Sequence, residues 1–246
     1  MANNRDQDFS QAHREYCHLP EHHPSHEDDP SSSEHPSRTF PIDRYNPAFI
    51  KPQEIEAFDG SWVFMACPGS TTNCPHCKNH VYHIGCLVVS ISGALSTTSD
   101  PPRSSIGVFF GPDNKKNLAS VLDGDKHTTQ TAELKACLEA LTRLFVLHTT
   151  WQIEPPKKST CYPLHTVIIK SDSEYVVMGA TEWLSKWKEN GWKKGSGQPV
   201  ANPELWRLVD SMLKQLEYDI KVEFWLVRRE MNGIAIRFAK EALGEA

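Results

Sequence analysis

The stretch HTVIIKSDSEYVV, His165 to Val177, decides the fold. Its apolar run stops at Lys170, and Ser171, Asp172 and Ser173 separate it from a helix-like pattern. Apolar side chains on both faces of a short strand mark a buried central strand. Asp172 falls just past the carboxyl end of that strand, where open α/β sheets place their chemistry. A carboxylate there is costly to hold unless it binds a cation, accepts hydrogen bonds or does work.

Upstream, GCLVVSISG (Gly85 to Gly93), RSSIGVFFG (Arg103 to Gly111) and NKKNLASVL (Asn114 to Leu122) read as three strands with short connections, an antiparallel meander. The period then changes. From Thr128 to Leu147, Leu134, Leu138, Leu141 and Phe145 recur every three or four residues, which predicts an amphipathic helix capped by Thr128 or Thr129. Glu133 stands in its first turn, where a carboxylate also suits the positive helix end.

Downstream, TEWLSKWKENGWKKGSGQPV interleaves Trp183, Trp187 and Trp192 with Lys186, Lys188, Lys193 and Lys194. The four-residue spacing of Trp183 and Trp187 favours a helix's core stripe, whereas Trp192 beside Lys193 and Lys194 follows Asn190-Gly191 and suits exposure and contact. Asn202-Pro203-Glu204 starts a helix whose buried stripe is Leu205, Leu208, Met212 and Leu216. KVEFWLV (Lys221 to Val227) is a fifth strand, and Glu230 to Leu243 a closing helix.

The first 55 residues or so are rich in Ser, Pro, Asp, Glu and His, hold six of the twelve histidines, and lack periodicity. Such a segment buries too little apolar surface to offset its ordering entropy, which predicts a disordered tail over residues 1–55. Nine acidic residues against four basic ones in the first 50 account for the whole formal charge of -5. The remainder is neutral and argues neither for nor against a nucleic-acid partner. No apolar run approaches the roughly 18 residues of a membrane span, and no secretory signal pattern opens the chain, so a soluble intracellular protein, nuclear or cytoplasmic, is expected.

Seven cysteines, an odd number unevenly spread, point to reduced thiols rather than a disulfide framework. In ACPGSTTNCPHCKNHVYHIGC (Ala66 to Cys86), Cys74-Pro-His-Cys77 is a C-x2-C knuckle. Cys67, Cys74, Cys77 and His83 are the candidate ligands of a structural Zn2+ in this lead-in, residues 56–84. The alternative is a turn-rich lead-in with free thiols.

The order of three strands, helix, strand, helices, strand and helix, with Glu133 opening the first helix and Asp172 ending the fourth strand, resembles type 1 ribonuclease H. TTQTAELKA (Thr128 to Ala136) is similar to that family's T-x-Q-x-A-E-L-x-A, and IIKSDSEYVV to its T-D-S-x-Y-V. The likeness runs on through W-x-x-x-W-x-x-N-G-W and P-V-x-N-x-x-L-W, Trp183 to Trp206. It ends with FWLVRREMNGIAIRFA, similar to the fungal variant V-P-R-E-x-N-x-x-A-D-x-L-A. The cysteine-rich lead-in also looks like the one preceding this domain in filamentous-fungal members. The resemblance covers about residues 85 to 243.

It implies a three-layer α/β fold, a five-stranded mixed sheet flanked by helices, that cuts the RNA strand of an RNA/DNA hybrid with two Mg2+ or Mn2+ ions. Such chemistry needs clustered carboxylates between and beside the cations. The family uses four. Glu133 matches the second and Asp172 the third, but the first corresponds to Ser92 and the fourth to Ile236. The resemblance further implies nucleic-acid contacts by Gln130, Trp192, Lys193, Lys194 and Asn202. Losing one group of a catalytic unit often costs several orders of magnitude in rate. Weak binding of one metal ion by Glu133 and Asp172, and failed catalysis, are therefore expected. Three functions fit this chain: a nucleic-acid-binding protein with impaired catalysis, an active ribonuclease H, or a non-catalytic protein-interaction module. The retained scaffold with its lost ligands favours the first.

Overall fold

A computed structural model describes residues 37–69, 80, 82–98, 100–124, 126–153 and 164–245. Its strands are β1 (Glu56–Asp59), β2 (Trp62–Ala66), β3 (Tyr82–Ser96), β4 (Arg103–Phe109), β5 (Leu118–Val121), β6 (Thr166–Ser171) and β7 (Lys221–Leu226). The helices are α1 (Thr129–Ile153), α2 (Glu174–Met178), which runs through a π-turn at Gly179–Trp183 into α3 (Leu184–Glu189), then α4 (Pro203–Leu216) and α5 (Gly233–Leu243). Among the described residues no helix is long and apolar enough to cross a membrane.

Strand β3 organises the sheet. On one side its last residues pair antiparallel with β4, and β4 with β5, which is the expected meander. On the other side β3 pairs parallel with β6, and β6 with β7. Val167, Ile168 and Ile169 are all buried, as the apolar run of a central strand requires. The five expected strands are present and two more extend the sheet: β1 pairs with β2, and β2 with the first half of β3. Residues 56–66 of the lead-in thus form a hairpin. Its sequence hid this because the strands are only four and five residues long.

One face of the sheet carries α1 and α4, with Leu134, Leu141, Leu144, Trp206, Val209 and Leu213 buried against Val89, Ile91, Val167 and Ile169. Thr128 caps α1, its Oγ1 accepting from the Thr131 amide at 3.0 Å. The other face carries α5 over β4, where Gly107 is required: a Cβ there would stand 2.2 Å from the Ala235 carbonyl oxygen.

The remainder of that second face is covered by residues 37–55, which corrects the expectation of disorder up to residue 55. Phe40, Tyr45, Ile50 and Ile55 are buried with Val88, Ile168 and Trp225. The Phe40 amide donates to the Phe224 carbonyl at 2.9 Å and the Phe224 amide to the Arg38 carbonyl at 2.7 Å, so this segment also pairs along β7. Four well-spaced apolar residues in a polar stretch suffice when a sheet face awaits them. Residues 1–36, the remainder of the expected tail, lie outside the described residues.

Candidate active site

Four segments converge at the carboxyl end of β6. Ser92 lies inside β3, buried and opposite Gly107. Its neighbour Gly93 lets α1 approach, since a Cβ at Gly93 would stand 2.4 Å from the Glu133 amide nitrogen. Glu133 is half-buried, and its Oε2 accepts from Ser173 Oγ at 2.7 Å. Burial pushes its carboxyl pKa up. The Ser173 hydrogen bond opposes that shift, and the nearby Asp172 charge adds to it. Ser173 also caps α2 by accepting from the Val176 amide.

Asp172 is held from two sides. Asn232 Nδ2 donates to its Oδ1 at 2.7 Å and Arg229 Nη1 to its Oδ2 at 3.1 Å. The same Asn232 amide donates to the carbonyl of Ile91 at 2.9 Å, tying the turn before α5 to the residue preceding Ser92. Asn232 Oδ1 is buried and has no hydrogen-bond partner among the described residues. Ile236, half-buried, follows one turn later on α5.

A pair of divalent ions fits this set poorly. Hard cations take several oxygen ligands, preferably charged. Here a hydroxyl and an aliphatic side chain stand beside two carboxylates, one of them paired with a guanidinium. Among the described residues no three His, Cys, Asp or Glu side chains are grouped to hold a metal. Glu133 and Asp172 are the residues that would hold a single ion.

Beside this centre lies a groove of about 570 Å³ lined by Gln130, Trp183, Lys186, Trp187, Lys193 and Lys194, among others. Trp183 and Trp187 line it with their rings 5.7 Å apart, and behind them the fully buried Trp206 packs 5.4 Å from Trp187. Trp187 is buried, as its spacing predicts, and Trp183 half-buried. A short loop closed by the Lys194 amide donating to the Gln198 carbonyl at 2.7 Å presents Lys193 and Lys194 to solvent. Lys186 and Asn190 also line the groove and were not singled out as contacts from sequence. For Lys186 the signal was its place between Trp183 and Trp187.

Two expected contact residues are placed differently. Trp192 is half-buried against the core, and the Arg207 guanidinium sits 4.8 Å from its ring centroid, so one aromatic face is already covered. Asn202 starts α4 without capping it. Its backbone is left-handed, at φ +53°, and its side chain instead meets Thr131 Oγ1 and the Tyr175 hydroxyl, each at 3.4 Å.

Of the candidate zinc ligands, Cys74 and Cys77 lie outside the described residues, and Cys67 and His83 are half-buried. His80 is buried, and neither ring nitrogen has a hydrogen-bond partner among the described residues, although Nε2 lies 3.7 Å from Glu54 Oε2. Cys67, Cys86 and Cys137 are free thiols. Burial pushes Cys86 and Cys137 up to about 12, far from thiolate reactivity at neutral pH.

Residues 92–225 match the family model described as RNase H. The chain belongs to the RNase H family. It is 38% identical over 130 residues to a ribonuclease H of Bradyrhizobium sp. (strain ORS 278), covering 52% of this chain and 71% of that protein. It is 52% identical over 120 residues to a ribonuclease H of Cyanothece sp., covering 49% and 66%. Human ribonuclease H1 is 33% identical over 119 residues, 48% of this chain and 36% of the human one. Among solved structures, the PFV RNase H domain aligns over 63% of this chain and 92% of its own, at 21% identity and TM-score 0.44. Residues 37–91 precede the segment that matches the RNase H model.

Proposed function

We propose that this protein is a type 1 RNase H scaffold that binds RNA/DNA hybrid or structured RNA through the Trp-Lys groove and has lost most of its divalent-metal cleavage. The observation that carries the proposal is the state of Asp172. Both of its oxygens are engaged by Asn232 and Arg229, while Ser92 and Ile236 occupy the other ligand positions. Two carboxylates and one guanidinium leave one net negative charge where four carboxylates would supply four. A lone Mg2+ or Mn2+ ion would be held weakly by Glu133 and Asp172, in competition with Arg229.

The groove does not depend on that centre. Ammonium groups around an indole floor suit phosphate contact and stacking, which carry affinity without reading base edges. A soluble intracellular setting, nuclear or cytoplasmic, belongs to the same proposal, as does a structural Zn2+ on Cys67, Cys74, Cys77 and His83. Fluorescence anisotropy of a labelled RNA/DNA hybrid, with Mg2+ and with EDTA, tests it alongside cleavage of the same hybrid. Binding that survives EDTA without appreciable cutting is the expected result. Metal-dependent cutting abolished by Asp172→Asn would overturn it and establish the active-ribonuclease reading instead. Binding by neither groove nor centre would leave the protein-interaction reading.

A further inference from the structure

Lys170 is a buried cation two residues before Asp172, only 4% exposed. An ammonium has three donors, and here all three are committed. Nζ donates to both carboxylate oxygens of Glu56 at 2.7 Å and to the Met231 carbonyl at 3.0 Å, and it lies 5.9 Å from the Trp225 ring centroid. Glu56 opens β1 and is itself largely covered, its side chain 13% exposed. Breaking a buried pair by removing one partner is far worse than removing both, because the survivor keeps an uncompensated charge.

The third bond matters most. Met231 precedes Asn232, which donates to Asp172 Oδ1 and to the Ile91 carbonyl, and it lies in the same short turn as Arg229, which meets Asp172 Oδ2. The path Glu56, Lys170, Met231, Asn232, Asp172 is thus one unbroken set of covalent and hydrogen-bonded contacts. It starts in the lead-in hairpin, outside the segment that matches the RNase H model. The neighbouring segment buttresses it, with the Phe40 ring centroid 4.9 Å from that of Trp225, Lys170's aromatic neighbour.

We infer that Glu56 is a positioning residue: through Lys170 it fixes the turn that clamps Asp172, so the lead-in hairpin is a working part of this site rather than an appendage. The effect on nucleic-acid affinity rests on the binding function proposed above. The effect on the Asn232 clamp does not.

The experiment uses the full chain and three variants: Glu56→Gln, which strands the Lys170 charge; Glu56→Leu with Lys170→Met, which removes both charges; and Glu54→Gln, a control in the same segment that leaves Lys170 untouched. Readouts are thermal unfolding, the Asn232 side-chain amide signals in nitrogen-15 spectra, and hybrid affinity by anisotropy. The Asn232 signals are expected to move in the first two variants and stay in the control. The double variant should recover much of the melting temperature, since an apolar pair of similar volume can replace a buried ion pair, yet leave the signals displaced because Met231 has lost its ammonium donor. Hybrid affinity should fall by about threefold to tenfold in both, the usual range for residues acting through others. Unmoved Asn232 signals in the folded double variant would overturn the inference, even if Glu56→Gln alone fails to fold. Absence of hybrid binding by the unaltered protein would instead count against the proposed function, and the Asn232 signals would still decide the positioning role.

Discussion

Arg229 Nη1 meets Asp172 Oδ2 at 3.1 Å, so a protein cation occupies one side of the carboxylate that a metal ion would need. Removing that cation should increase divalent-ion binding. The Arg229 side chain is 65% exposed, and exposed ion pairs are worth under about 1 kcal/mol. Arg229→Gln should therefore raise Mn2+ affinity by no more than about fivefold, measured by calorimetric titration. A much larger gain would mean that Arg229 is the main obstacle to a metal ion at Asp172.

Placing carboxylates at the two positions that the resemblance assigns to metal ligands is the stronger perturbation. Ser92 adjoins Gly93, whose backbone meets α1 at Glu133, and Ile236 follows one turn after Asn232, which donates to Asp172. Ser92→Asp together with Ile236→Asp should introduce Mg2+-dependent cleavage of hybrid at least about a hundredfold above the unaltered protein, because groups of a catalytic unit act together. Each single change should gain far less. A folded double variant that stays inert would show that these two positions are not the ligand sites.

How much of this could be read from the chain follows from the range of each interaction. Asp172 and the α1 cap were legible because a strand end and a Thr cap are set by residues within four or five positions of each other, whereas Glu133, expected in the first turn, is the fifth residue of α1 and opens its second turn. The partners of those residues were not. Asn232 holds Asp172 across 60 positions and Glu56 holds Lys170 across 114, and neither pairing leaves a local pattern. Residues 37–55 misled for a related reason. Their average composition is that of an unfolded tail, and only the sheet face they cover, at Ile168 and Trp225, shows why Phe40, Tyr45 and Ile50 are there.

The groove separates contact from structure. Lys193 and Lys194 are exposed on their loop, so Lys193→Glu with Lys194→Glu should leave the melting temperature within a degree or two. The same pair should weaken hybrid binding by about tenfold or more and lower the slope of log affinity against log salt by about 2. Trp187 is buried against Trp206, so Trp187→Ala should cost about 3–5 kcal/mol and lose binding through unfolding. Denaturant unfolding beside salt-dependent anisotropy distinguishes the two. An unchanged salt slope in the lysine variant would remove the groove as the phosphate contact.

Asp210 ties that groove to the core. Its carboxylate on α4 accepts from Lys188 on α3 at 3.1 Å and from Lys214 at 2.9 Å. Burial works to raise its pKa, but the hydrogen bonds from Lys214 and Lys188 and their charges outweigh it, and the carboxyl is held below its usual value. An acid whose folded pKa is depressed stabilises the fold above its unfolded pKa, and that stabilisation disappears as pH falls through the folded value. Asp210→Asn should therefore be less stable than the unaltered protein at pH 7. The gap should narrow as pH drops below about 4, the unfolded value, and close once Asp210 is protonated in both states. Both lysines are partly solvent-screened, so the gap at pH 7 should be about 1 kcal/mol, or about 2–4 °C in melting temperature for a domain of this size. Melting curves from pH 3 to pH 8 check it, and a gap that ignores pH would assign the loss to packing rather than charge. Because α3 also carries Lys186 and Trp187, the same substitution should weaken hybrid binding equally at pH 7 and pH 5, since Asp210 is ionised in the fold at both, an effect that a purely global destabilisation, measured well below the melting temperature, would not produce.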